Sequence, residues 1–139
     1  MSEQNKKIAR DCWLGCFNEG NLALVDTMVS PDVVWHGPNM EVKGREGMKQ
    51  LITMIRTAFP DVRMTFEDHI AQSEKVASRW TMRGTHRGDL MGIPPTHKPA
   101  TFTGIVISRV EGGEIAEEWE DFDQLGMMQQ LGVIPRPGA

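Results

Sequence analysis

From Val62 to Asp123 the chain reads as four long extended segments, roughly 62–72, 75–86, 100–110 and 114–123. SEK, MGIPPTHKP and EGG separate them, each too short or too rich in proline to hold a helix. Short links between long strands call for antiparallel pairing, and long strands twist, so this stretch predicts a curved antiparallel sheet. The residues before it are helical. Residues 3–19 place Ile8, Cys12, Cys16 and Glu19 on one helical side with Trp13 and Phe17 beside them, and Gly20 ends the helix. Asn21 is a candidate N-cap for a short helix, Leu22 to Met28, and SPD at 30–32 reads as a turn before a short strand, Val33–His36. Met48, Leu51, Ile52 and Ile55 recur at helical spacing in Arg45 to Phe59, a helix that Pro60 stops. Leu125 to Leu131 closes the chain as a short helix.

Helices first and strands afterwards is an α+β pattern. The expected architecture is a strongly curved antiparallel sheet wrapped around the N-terminal helices. That leaves a cone whose open end is a pocket for a small apolar ligand. No repeat, low-complexity block or linker interrupts residues 1–139, so one domain is expected.

Composition narrows the function classes. The net charge of -4, with no run of Lys or Arg, lacks the basic stripe that nucleic acid requires. No window approaches the length of a membrane-spanning helix. MSEQNKKIARDCW has no apolar signal-peptide core, so a cytoplasmic location is expected. Cys12 and Cys16, spaced i, i+4, read as buried thiols in a reducing compartment. Ten methionines against no tyrosine fit either gap-filling in a core or a pliable pocket.

The chemistry-bearing stretch is IAEEWEDFDQLGMMQQLG at 115–132, which sets five carboxylates among the seven residues from Glu117 to Asp123. Side chains alternate along a strand. Glu117, Trp119, Asp121 and Asp123 therefore share one face, and Glu118, Glu120 and Phe122 share the other. A carboxyl facing an apolar pocket has its pKa raised, which suits it to acid/base work near neutrality. His36, after VVW, is expected near the rim of the pocket. His69, His86 and His97 are expected to be exposed, and Arg79 to pair with a carboxylate of 117–123. The histidines and cysteines show no ligand spacing, so no metal is expected. GxGxxG, GxxxxGK[ST] and GxSxG are all missing from the sequence.

FPD, the RW…GTHRG…MGIPPT strand and loop, and the EEW…DQLG…QQLG ending together resemble the SnoaL-like polyketide cyclase family. That family sits within the wider superfamily of nuclear transport factor 2-like folds. The likeness is detailed over the last two-thirds of the chain and holds in outline at the helical start. It implies intramolecular aldol ring closure without metal or cofactor, and a homodimer formed through the sheet. It places the family's acid/base carboxyl on Glu120, where a glutamate stands in place of the family's aspartate. Asp123 matches the second Asp of the motif and begins the closing turn. The family's pocket histidine falls on Val106, a further departure.

The expected catalytic residues are therefore Glu120, with Asp121 in its place if the register slips by one, and His36 as an orienting group. Trp13, Phe17, Trp35, Met54, Trp80, Met91, Val106 and Phe122 are the expected substrate-binding residues. Three functions remain open. They are a cyclase or isomerase acting on a hydrophobic carbonyl compound, a non-catalytic ligand-binding or dimerising module, and an epoxide hydrolase-like enzyme that would need Arg79 beside two acids.

Overall fold

The computed structural model describes residues 2–138. Helix α1 spans Ser2–Glu19, α2 Ala23–Met28, α3 Gly44–Ala58 and α4 Gln124–Gln130. The strands are β1 Val29–Gly37, β2 Met40–Lys43, β3 Arg63–Gln72, β4 Lys75–Thr85, β5 Pro99–Glu111 and β6 Glu114–Phe122. They form one open sheet in the order β2-β1-β6-β5-β4-β3. The four long strands fall where the turn chemistry put them, and the α+β class holds. Register shifts between Phe66 and Asp68, and between Arg109 and Val110, mark bulges that bend the long strands.

Four local differences stand out, three of them with plain causes. β2 was not expected, because four residues directly before a helix carry too little alternation to declare a strand. One pair, β1 with β6, is parallel rather than antiparallel. These strands are joined by most of the chain rather than by a hairpin, so nothing forces them antiparallel. Asn21 does not cap α2: the residue in the cap position is Leu22, with no side-chain hydrogen bond. The turn is closed by backbone instead, with Gly20 at φ +70 donating to Cys16 and Asn21 donating to Gly15. Glu19, expected with the apolar side of α1, is exposed.

α1 lays Ile8, Ala9, Cys12, Trp13 and Cys16 against the sheet, and α3 adds Met48 and Ile52. Both cysteines are free and buried, as expected. The opposing strand face supplies Val76, Trp80, Met82, Phe102, Val106, Val110 and Ile115, all buried. Gly104 on β5 makes room for the Trp80 indole. A Cβ there would collide with that ring and come within 2.8 Å of the Asp121 carbonyl.

Asp123 caps α4, accepting from the Gly126 amide at 2.9 Å. Asp123→Ala is expected to lower stability by about 1 kcal/mol, the usual worth of an N-cap, read as a shift of the urea midpoint. No helix of the described residues is long and apolar enough to cross a membrane.

Candidate active site

Strand β6 carries alternate residues into the space between the helices and the sheet. Glu118 pairs with Ser108 of β5, Glu120 with Val106 and Phe122 with Gly104, so all three lie over the inner face. The cavity in front of them has two connected lobes. A narrow inner lobe, with only about 20 Å³ open to a water-sized occupant, is lined by Trp13, Phe17, Trp35, Trp80, Val106, Glu118 and Glu120, among others. An outer lobe of about 860 Å³, counting its open mouth, adds Met54, Met91, Phe122 and four further methionines. Every residue expected to bind substrate lines one lobe or the other. Glu120 belongs to both and stands where they meet.

The Glu120 carboxyl accepts from the Trp35 indole N–H at 2.9 Å through Oε1. Burial pushes its pKa up to about 7. The two indoles resist this by favouring the anion, and the charge of Asp121 adds to the rise. The Trp80 N–H lies beside the same carboxyl but stops short of hydrogen-bond geometry and is left unpartnered. Glu118 lies deeper. Its Oε2 accepts from Trp13 Nε1 at 2.8 Å and from Ser108 Oγ at 2.5 Å. Burial raises Glu118 to about 8, and the neighbouring Glu120 charge adds to that, while Ser108 and Trp13 pull the other way. No cation pairs with either acid among the described residues. Two carboxyls near neutrality in an apolar chamber can take up and release protons at physiological pH.

Trp35→Phe removes one donor to the Glu120 anion. The expected result is a higher pKa for Glu120, read as an upward shift of the acidic limb of a pH–rate profile.

Some expected residues lie elsewhere. Asp121 is exposed on the opposite face of β6, because strand alternation that turns Glu120 inward must turn Asp121 outward. His36 is also on the outer side, since its neighbour Trp35 takes the inward place on β1. There its Nε2 lies 2.7 Å from Glu117 and its Nδ1 3.1 Å from Glu41, and its ring stacks on Trp119. These contacts leave His36 out of both cavity linings. Arg79 is exposed and pairs with Asp68 on β3 at 2.7 Å, not with the 117–123 carboxylates. The epoxide hydrolase-like arrangement therefore lacks its arginine.

His86 is buried, not exposed. The 86–98 loop folds back on it, and its Nδ1 lies 3.0 Å from the Thr96 hydroxyl. His69 is half-buried against Ser78, and His97 is exposed. The residue that sequence reasoning passed over is Glu118. Its one signal was parity with Glu120 on the strand. Among the described residues no group of three or more His, Cys, Asp or Glu side chains is placed to hold a metal ion.

The family model for SnoaL-like polyketide cyclases matches residues 7–131. The chain belongs to this family. Among SnoaL-like relatives, the nogalonic acid methyl ester cyclase of Streptomyces nogalater is 28% identical over 127 residues, covering 86% of this chain and 91% of that protein. The structure of TsrD from Streptomyces laurentii superposes with a TM-score of 0.86 at 27% identity, over 96% of this chain and 98% of the other. IdmH from Streptomyces antibioticus, 32% identical, superposes with a TM-score of 0.76 over 88% and 94% of the two chains. The SnoaL-like frame thus extends over nearly the whole described chain, with Glu120 and Glu118 at the centre of its cavity.

Proposed function

We propose that this protein is a cofactor-independent cyclase that closes a ring in a hydrophobic polyketide by intramolecular aldol addition, with Glu120 as the acid/base. One observation carries the proposal: a carboxyl raised to about 7 stands at the junction of two apolar lobes, held by an indole N–H and paired with no cation among the described residues.

Glu120 as carboxylate takes the acidic proton from a carbon flanked by two carbonyls. The C–H electron pair becomes the enolate, whose carbon attacks a separate carbonyl elsewhere in the same molecule, and the π pair of that carbonyl moves onto its oxygen as the new C–C bond forms. The alkoxide so produced takes the proton back from Glu120, leaving a ring hydroxyl and restoring the carboxylate. One group can serve both steps: the carboxylate takes the doubly activated C–H proton, and its acid form, near 7, readily protonates the far more basic alkoxide. Trp35 holds the carboxyl in place. The methionines of the outer lobe, with Phe17, Phe122 and Trp80, offer an adaptable apolar bed for the body of the substrate.

The relative from Streptomyces nogalater supplies a first test compound. Incubation with nogalonic acid methyl ester, or a series of polyketides bearing an enolisable 1,3-dicarbonyl arm, is expected to yield the cyclised product by chromatography. No ring closure with any of them, with the ligands bound unchanged, would favour the non-catalytic binding module.

We also infer one domain over residues 1–139, a cytoplasmic location, and a homodimer through the outer sheet face. Ile105 is 53% and Ile107 39% exposed there, beside Trp119. Light scattering at micromolar concentration is expected to give twice the monomer mass; a monomer would reject the dimer.

A further inference from the structure

Glu118 has no part in the chemistry above, yet it is the one acidic side chain among the buried residues described, 2% exposed. Both of its hydrogen-bond donors, Trp13 and Ser108, arrive on the same oxygen, Oε2. Among the described residues no donor reaches Oε1. It is not sealed off like the orphaned buried nitrogens of His69, Trp80 and His86, and the residue lines the inner lobe. A carboxylate offers about four acceptor sites over two oxygens, so two donors on one oxygen would leave half of a buried charge unserved. A carboxylic acid fits better. Its carbonyl oxygen accepts two donors, and its O–H, on Oε1, needs an acceptor that none of the described residues supplies.

We propose that Glu118 is a second catalytic residue, a neutral acid whose Oε1–H donates to the substrate carbonyl oxygen and holds the enolate oxygen that Glu120 creates. The inner lobe is then a site for an enolate or phenolate oxygen.

The charge balance is consistent with this. Before the reaction the chamber holds one negative charge, on Glu120. As Glu120 takes the carbon-bound proton, the C–H pair forms the C=C bond and the carbonyl π pair moves onto oxygen. The single charge is now on the substrate, and the Glu118 proton stays on Glu118 while bridging to that oxygen. A donor aimed at where charge develops acts more strongly in the transition state than in the ground state.

The role rests on the cyclase reading of Glu120, but its test does not need turnover. 2-Naphthol presents an oxygen that resembles an enolate once ionised, and its absorbance and fluorescence distinguish naphthol from naphtholate. The wild-type protein is expected to bind it largely ionised at a pH well below its solution pKa, the naphthol proton passing to Glu120 so that the chamber still holds a single charge. Glu118→Leu is expected to weaken naphtholate binding by about 10- to 100-fold, the scale of one charge-assisted hydrogen bond, with naphthalene binding unchanged. Glu118→Gln keeps a weaker N–H donor and is expected to fall between the two. Should Glu118→Leu fail to fold, the lower ionised fraction in Glu118→Gln carries the test alone. Neutral naphthol in the wild-type site overturns the proposal, as does an ionised fraction that neither variant changes. Loss of ring closure with naphtholate binding intact would instead strike the cyclase reading.

Discussion

Glu120→Gln is expected to lower the ring-closure rate by about 10²- to 10⁴-fold, the usual contribution of a positioned general base, while the protein stays folded. Glutamine keeps the shape of the side chain, and its carbonyl can still accept the Trp35 N–H that now meets Oε1 at 2.9 Å. What it loses is the capacity to take a proton. In the wild type, kcat/KM should rise with pH on its acidic limb as Glu120 ionises around pH 7. In Glu120→Gln that limb should vanish along with the rate. Single-turnover measurements separate this from slow product release, because removing the base slows the bond-forming step itself. Unchanged turnover in the variant, across the same pH range, would remove Glu120 from the chemistry. Asp121→Asn serves as the companion variant. It sits on the far face, where its effect reaches the cavity only through its charge on Glu120, so a small lowering of the base pKa is expected and no loss of rate.

The parity of the acids in β6 was legible from alternation alone, and so was the α+β order. Which face turned inward was not. Both faces carry an aromatic residue and at least two carboxyls, so strand periodicity cannot choose between them. The choice is made by groups far away in the chain: Trp13 on α1 reaches Glu118, and Trp35 on β1 reaches Glu120. The same alternation applied to β1 would have warned that Trp35 and His36 cannot both enter the cavity. Val33 to His36 was too short a span to reveal which one would. The Arg79 partner also depended on pairing. Asp68 lies across from Arg79 in the β3–β4 register only after the bulge that follows Phe66, and bulges carry no reliable sequence mark. His86 misled for another reason. GTHRG has the look of an exposed turn, and its burial comes from backbone bonds that return Lys98 and His97 onto it, together with the Phe59 ring.

The two inward acids also make stability depend on pH, in a direction opposite to that of a paired surface carboxylate. Glu118 and Glu120 hold their protons more tightly folded, at about 8 and about 7, than at the ordinary value of 4.5. Their contribution is therefore fully present below about pH 4.5 and drains away as pH rises through 7 and 8. Each pKa unit corresponds to about 1.4 kcal/mol, so Glu118 alone is expected to cost the native state on the order of a few kcal/mol at pH 9. Glu118→Gln removes that cost. Its amide carbonyl can accept from Trp13 and Ser108 as Oε2 does now, and it has no charge to bury at any pH. The variant should match the wild type near pH 5 and exceed it at pH 9, by roughly 10 °C in melting temperature for a chain of this size. Glu117 works against the trend at the acid end. His36 and Arg109 hold its carboxyl below the usual range, so its small contribution is lost as pH falls. Urea or thermal midpoints for the wild type and Glu118→Gln from pH 5 to 9 would show the two curves diverging upward. Parallel curves would mean that Glu118 is not carrying a proton in the folded protein, and the neutral donor assigned to it would fall with that result.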